Sequence, residues 1–481
     1  MNENLRKVKT ISGIKWSILN QVIVQISNLL IGILLTRLLT PDDFGLIAMV
    51  TVFTGFLAVF QDFGLGAYLI YKKEVSDKDY STIFYTHFII GIILAVLIFF
   101  FSGFIASFYD RKILKIITTV IAISFVIEPL NYVQLTILRK KLDFKSLFFV
   151  NSIGVIISGA IAIYMAYQRY GVWSIVVKLL LLSIIKTILL WIISNWKPRL
   201  LFSLSSLKEA LKYSLPIVGN KSIGYFMRNT DNLIIGKLLG SVALGIYSRA
   251  YSLMMLPINQ IGGVISGVFF ASFSLIKDNI PVFRSNWLKI NGYLAFILFP
   301  ISTLIFIMAE AFVKNILGEQ WIETIPIIRI LSIAGAAQGM SFVSYVYNAL
   351  GDTKLSFRIS IFTSSILVLA IVIGVQYNIS GIAYAYTIAT LLLFPTIYWY
   401  FLAKKLKIPF FSIYIRILKF LFSSIIAGSL VSYFFNSFQT EFQIQLIVKP
   451  ILFLVLYLII LKIFGDKTFF EIKTLILNKY H

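Results

Sequence analysis

The sequence predicts an all-α polytopic membrane protein of about 14 transmembrane helices: two homologous six-helix lobes followed by two further helices. Three observations predict it. The chain is 59% hydrophobic and only 13% charged, with a mean hydropathy of +0.90, where a soluble domain carries about 25% charged residues. A water-soluble chain of 481 residues could not bury that much apolar surface. Its apolar runs are long enough to cross a bilayer, and one sequence frame recurs at an offset near half the chain.

The first lobe holds apolar runs near 14–38, 44–70, 83–108, 114–138, 147–168 and 172–194. Each has the roughly 17–25 residues a span needs. They are separated in turn by "TPDDFG", "YKKEVSDK", "YDRK", "RKKLDFK" and "YQRYG". The second lobe holds runs near 211–238, 244–275, 288–312, 326–350, 357–376 and 380–402, separated by "GSVALG", "KDNIPVFRSNWLK", "LGEQWIE", "GDTKLSFR" and "QYNISG". Two more runs, 413–434 and 443–464, complete the chain. Between the lobes lies "NWKPRLLFSLSSLKEALKYSLP" (195–216), in which Ser206 followed by Glu209 reads as a helix capping box. Its leucines and phenylalanine suit a helix lying in the membrane interface. The organisation is therefore an N-terminal lobe at 1–196, an interfacial linker at 197–210, a C-terminal lobe at 211–403, and added helices with a tail at 404–481.

Charge orients the spans. Alternate connections are cation-rich, from "RKVK" and "YKKEVSDK" to "AKKLK", and the intervening ones are cation-poor. The net charge of +23 thus follows the positive-inside pattern, not nucleic-acid binding, and both termini are expected on the cytoplasmic side. Arg111, Lys112 and Lys115 run against the pattern, because they fall outside. The first span itself serves as the membrane signal, with no cleaved signal peptide. The outside connections are too short for a folded catalytic domain. Cys is absent and only two His exist, His87 and His481, which removes disulfides, thiolate chemistry and His-based metal sites. No GxxxxGK[ST], HExxH or GxSxG motif occurs. No enzyme activity, metal or cofactor is expected.

The recurring frame is "LTRLLTPDDFGLIAMV" (35–50) and "IGKLLGSVALGIYSRA" (235–250), with Arg37 on Lys237 and Gly45 on Gly245. "KKLDFKSLFF" (140–149) likewise matches "TKLSFRISIF" (353–362), and "YGVWSIV" (170–176) parallels "SGIAYAY" (380–386). Six spans per repeat give the lobes the same orientation, and parallel repeats place a substrate path near the bilayer midplane.

"TRLLTPDDFGLIAMV", "FQDFGLGAYLI" (60–70) and "RNTDNLIIGKLLGSVALGIYSRAY" (228–251) resemble the Wzx-type oligosaccharide flippases. These belong to the multidrug/oligosaccharidyl-lipid/polysaccharide exporter superfamily, and the likeness is to its lipopolysaccharide and colanic-acid exporter branch. It extends over nearly the whole chain. It implies two lobes around a central cavity, alternating access, and movement of an undecaprenyl-pyrophosphate-linked oligosaccharide from the inner to the outer leaflet of a bacterial cytoplasmic membrane, for surface polysaccharide or lipopolysaccharide biosynthesis.

Polar residues inside spans are costly and mark function by default. Gln21, Gln25 and Asn28 share one face of the first span, and the equivalent face of span 7 carries Lys221, Arg228 and Asn232. Lys178 and Lys186 lie eight residues apart in span 6. Cations in a water-filled cavity suit a pyrophosphate, which Arg can bind bidentately. These eight residues are the expected cavity lining, against the plainer reading of polar packing seams. Asp62, Glu128 and Asp231 are candidates for an H+ or Na+ coupling site, or for partners of intramembrane lysines; Glu128 precedes the helix-breaking Pro129. Two other functions compete with flipping: ion-coupled export of small molecules, and polysaccharide polymerisation or ligation. A cationic cavity disfavours cationic drugs, and the short outside loops disfavour an enzyme.

Overall fold

The computed structural model describes residues 3–340, 343–437, 442–465 and 471. Among them every regular element is helical. Ten helices are long and apolar enough to cross a membrane, and a bent pair adds an eleventh if counted as one span. The protein is thus an all-α multi-pass membrane protein. The chain forms two compact units, 1–245 and 246–481. The division falls about one span beyond the expected linker, so the segment 211–238 counts with the first unit.

Unit 1 opens with α1 (Glu3–Leu38), α2 (Pro41–Asp62), α3 (Leu65–Tyr71) and α4 (Asp77–Phe108). The turn between α1 and α2 is a complete capping box: Thr40 Oγ1 accepts from the amide of Asp43 at 3.3 Å, and Asp43 Oδ2 accepts from the amide of Thr40 at 2.9 Å. Pro41 occupies the first helical turn, where its missing N–H costs nothing. Ser76 and Asp79 repeat the device at the start of α4. Then follow α5 (Ile113–Ile127), α6 (Pro129–Lys140), α7 (Phe144–Tyr167) and α8 (Trp173–Ile193). The long α9 (Leu204–Leu275) is interrupted at Gly240, whose φ of 84° and ψ of −178° only glycine adopts readily.

The expected linker helix is not a separate element. Residues 194–203 cross the end of α4 in non-helical conformation, and α9 then runs on without a break at 210. Ser203, not Ser206, caps it, its Oγ accepting from the Ser206 amide at 3.3 Å. Glu209 is diverted from capping: its carboxylate accepts from Tyr68 Oη at 2.7 Å and pairs with Lys72 at 3.7 Å. Ser81 and Thr82 on α4 accept from the amides of Arg199 and Ser203, which straps the segment down. Lys72 also binds Asp79 at 2.9 Å, and that carboxylate holds its ammonium above the usual lysine range.

The repeated frame meets its own copy. A side chain at Gly45 would overlap the carbonyl of Ser241, and one at Gly245 would overlap the carbonyl of Pro41. Pro41 and Ser241 are themselves equivalents at the offset of the repeat, so each copy's glycine receives the other copy's turn. Asp42 accepts from both Arg111 and Ser241, and Lys237 pairs with Asp110 at 3.2 Å. Arg111, which runs against the positive-inside pattern, is therefore held by an acid.

Unit 2 begins in the second part of α9 and continues with α10 (Ile280–Phe312), a π-helical turn (Val313–Leu317), α11 (Thr324–Gly339) and α12 (Val343–Ala349). It ends with α13 (Thr353–Gly374), α14 (Asn378–Leu406), α15 (Phe410–Ser437) and α16 (Phe442–Ile463). Its core joins Trp287 and Leu298 of α10, Trp399 of α14, Phe420 of α15 and Phe453 of α16, all almost inaccessible. Tyr457 Oη donates to the Phe296 carbonyl at 3.0 Å. The two helices without a repeat counterpart are thus part of this unit's core, not an appendage to it.

Candidate functional site

The site in unit 1 is built around a break. Pro129 has no N–H, so the helix α5 ends at Ile127 and α6 leaves at 43°. A break inside a membrane is tolerated only where side chains serve the freed backbone groups, and here they do. Gln61 Nε2 donates to the Phe125 carbonyl at 3.2 Å, the acceptor that Pro129 leaves without its helical donor. Three residues spaced four apart on α8 brace the break. Ser183 Oγ donates to Glu128 Oε1 at 2.9 Å, Thr187 Oγ1 lies 3.4 Å from the Ile127 carbonyl, and Trp191 Nε1 donates to the Leu130 carbonyl at 2.8 Å. From α4, Gly91 lies against the break so closely that a Cβ would come to 2.5 Å from Pro129 Cγ and overlap the Phe125 carbonyl.

Beside the break is a cavity of about 520 Å³. Glu128 opens onto it from the break itself, and Lys186 from the next turn of α8. Lys186 lays its stem across α7 where Gly154 leaves room, a Cβ there falling 3.3 Å from Lys186 Cγ. Four carboxamides converge from four helices: Asn20 of α1, Gln61 of α2, Asn131 of α6 and Asn151 of α7. Asn151 Nδ2 donates to Asn20 Oδ1 at 3.3 Å, and Asn131 Nδ2 to Thr187 Oγ1 at 2.7 Å. Arg139 lines the same space, as do His87 and Tyr132, whose rings stack at 4.0 Å. The site therefore offers two cations, one acid and several amide donors and acceptors in a span region where unsatisfied polarity is costly. Such a lining suits a hydroxyl-rich or anionic molecule, held with water.

Of the expected residues, the structure brings Lys186 and Glu128 together here. Lys178 is not among those lining the cavity. Gln21 and Asn28 are exposed and Gln25 is half-buried, on the face of α1 next to the one that turns Ser17 and Asn20 inward. Lys221 and Arg228 are exposed on α9, Asn232 is half-buried, and Asp231 is buried with its Oδ1 accepting from the Asn232 amide at 2.8 Å. That helix packs on α2 through Tyr225, whose hydroxyl donates to the Thr51 carbonyl at 2.7 Å, and through Phe226 against Phe56. The side chain of Asp62 lies outside the described residues. Asn20, Asn131, Asn151 and Arg139 were missed by sequence reasoning. The amides stand singly on three helices, and Arg139 reads as one more cation of the "RKKLDFK" connection.

Residues 34–326 match the family described as polysaccharide biosynthesis protein. Among curated relatives, the teichuronic acid biosynthesis protein TuaB of Bacillus subtilis (strain 168) is 27% identical over 326 residues, 67% of this chain and 68% of that one. The lipopolysaccharide biosynthesis protein WzxC of Escherichia coli (strain K12) is 25% identical over 371 residues, 76% of this chain and 75% of that one. Among solved structures, an inward closed conformation of the lipid II flippase MurJ aligns with a TM-score of 0.74 at 18% identity, covering 93% of this chain and 98% of the other. An inward-facing multidrug resistance transporter of the MATE family aligns with a TM-score of 0.63 at 17% identity, over 80% of this chain and 95% of the other. These structural likenesses bear on the fold.

Proposed function

We propose, for a chain that belongs to the polysaccharide biosynthesis protein family, that it is a flippase for a lipid-linked oligosaccharide. It moves an undecaprenyl-pyrophosphate-linked glycan from the inner to the outer leaflet by alternating access. It sits in a bacterial cytoplasmic membrane as a multi-pass protein with both termini inside. It acts as a transporter and not as an enzyme, since flipping breaks no covalent bond. The relatives named for teichuronic acid and lipopolysaccharide biosynthesis support a glycan as cargo.

The observation that carries the reading is the polar cavity of unit 1. A glycan presents hydroxyl groups that both donate and accept, and carboxamides answer both roles. Lys186 and Arg139 offset the desolvation of phosphate or acidic sugars as the head group leaves water. Lys178 extends the cationic track along α8, and Lys221, Arg228 and Asn232 on α9, with Gln21, Gln25 and Asn28 on α1, provide further polar steps. Glu128, next to Lys186 and hydrogen-bonded by Ser183, is the favoured H+ or Na+ coupling group, with Asp62 and Asp231 the others. Ion-coupled export of a small molecule is the competing function, favoured by the fold shared with a multidrug transporter.

Depletion of the protein followed by lipid extraction tests the reading. A polyprenyl-pyrophosphate glycan accumulates on the cytoplasmic leaflet if it holds. An unchanged lipid profile with altered drug tolerance would instead establish the exporter.

A further inference from the structure

Unit 2 carries a second concentration of charge, where α10 ends, α11 begins and α16 enters. Glu310, in the last turn of α10, is held by two cations: Lys314 Nζ lies 2.7 Å from its Oε1 and Arg329 Nη2 lies 3.2 Å from its Oε2. Lys449, in the second turn of α16, is only 6% exposed. Its ammonium donates to Gln445 Oε1 at 3.3 Å and stands 5.6 Å from the centre of the Phe435 ring. Among the described residues no carboxylate lies within ion-pair distance of it. Glu310 and Arg329 are near enough to act on it electrostatically. Among the described residues, three cations therefore lie about one carboxylate. A neutral amide and a ring face offset only part of what burying an ammonium costs.

We propose that this cluster binds a doubly charged phosphate, a phosphomonoester or a diphosphate, carried by a membrane lipid. Among the described residues of the cluster, cations exceed acids, which matches such a head group better than a singly charged phosphodiester. Arg329 keeps N–H groups beyond the one given to Glu310, and a guanidinium suits phosphate oxygens bidentately. The neighbouring face of α16 fits a lipid better than free phosphate: Ile444, Ile447 and Val448 are exposed apolar residues beside Lys449. Lys449 and Phe435 belong to the two helices that have no counterpart in the repeat, which gives that pair a task of its own. The site rests on the chain's spanning a membrane and is independent of which cargo it moves.

Native mass spectrometry of the full-length protein, titrated with dioleoyl phosphatidic acid or dioleoyl phosphatidylglycerol, tests it. Phosphatidic acid binds about tenfold more tightly than phosphatidylglycerol, and inorganic phosphate does not displace it at equal concentration. Undecaprenyl phosphate binding more tightly than phosphatidic acid assigns the site to the polyprenyl lipid; equal binding assigns it to anionic lipid in general. Lys449→Met and Arg329→Met each weaken phosphatidic acid binding about tenfold, the loss of one charge-assisted contact. Glu310→Gln removes the competing acid and strengthens it severalfold, a gain that a merely structural ion cluster does not produce. Variants that shift thermal unfolding but leave lipid affinity within about twofold would overturn the proposal, as would equal affinity for the two phospholipids. Should Lys449→Met not fold, the sign of the Glu310→Gln effect decides.

Discussion

Lys186 reaches its cavity because residue 154 has no side chain. This makes two substitutions on different helices equivalent. Lys186→Met removes the charge, and Gly154→Leu displaces the stem that carries it. Both should abolish export at normal protein abundance, read by immunoblot against surface glycan. Lys186→Arg should keep part of the activity, since it retains the charge with altered geometry. Gly91 gives a prediction about stability. Gly91→Ala drives a methyl into the Phe125 carbonyl and Pro129, and overpacking of this kind costs about 1–3 kcal/mol. A lowered unfolding temperature in detergent checks it; an unchanged one would mean that α4 can retreat from the break. On α9, Arg228 is exposed, so Arg228→Ala should leave abundance intact while export falls, and a fall in abundance instead would give it a structural role. Lys186 and Glu128 were legible because charge inside an apolar run has few structural uses. The three asparagines were not. A lone amide in a helix is unremarked in sequence, and only the packing of α1, α6 and α7 brings these together.

At the scale of elements, the break at Glu128–Pro129 turns one span into two half-helices, with the freed Phe125 carbonyl taken by Gln61 and the break braced from α8 by Ser183, Thr187 and Trp191. Pro129→Ala restores an amide that can compete with Gln61 for the Phe125 carbonyl. The bend should lessen, which spin labels placed on α5 and α6 would record as a longer end-to-end distance. An unchanged distance would mean that the α8 contacts alone impose the bend. Apolar periodicity made the helices legible, and the proline marked the break. The linker misled: Ser206 and Glu209 have the spacing of a capping box, but Glu209 is claimed by Tyr68 and Lys72 from elsewhere in the chain, a tertiary choice that local spacing cannot encode. The last two helices misled in another way. Their lack of a repeat counterpart suggests that they can be removed, yet Phe420 and Phe453 are wholly buried against α10. Truncation after Lys407 should therefore lower abundance, as measured by fluorescence of a C-terminal fusion.

For the whole molecule, reporters fused at Gly318 and Asp352 should fall outside and inside respectively, as the cation bias requires; the opposite result would invert the topology. The absence of cysteine permits a cleaner test of the interlocked repeat. Cysteines at Asp42 and Ser241, whose side chains already meet, should form a disulfide that holds the two copies together, and export should stop until a reductant is added. Full export by the oxidised pair would mean that the copies stay joined throughout the cycle. The duplication was legible from Arg37, Gly45 and their equivalents, but not that the two copies face each other. The interlock also has a meaning in time. Its halves lie 200 residues apart, as the numbering of Gly45 and Gly245 records, and synthesis at about 5–20 residues per second separates their appearance by roughly 10–40 s. Through that interval the newborn Pro41–Gly45 corner stands at the membrane edge with its backbone notch empty, its acid able to engage Arg111 once that residue is made, waiting for a partner that the ribosome has not yet supplied.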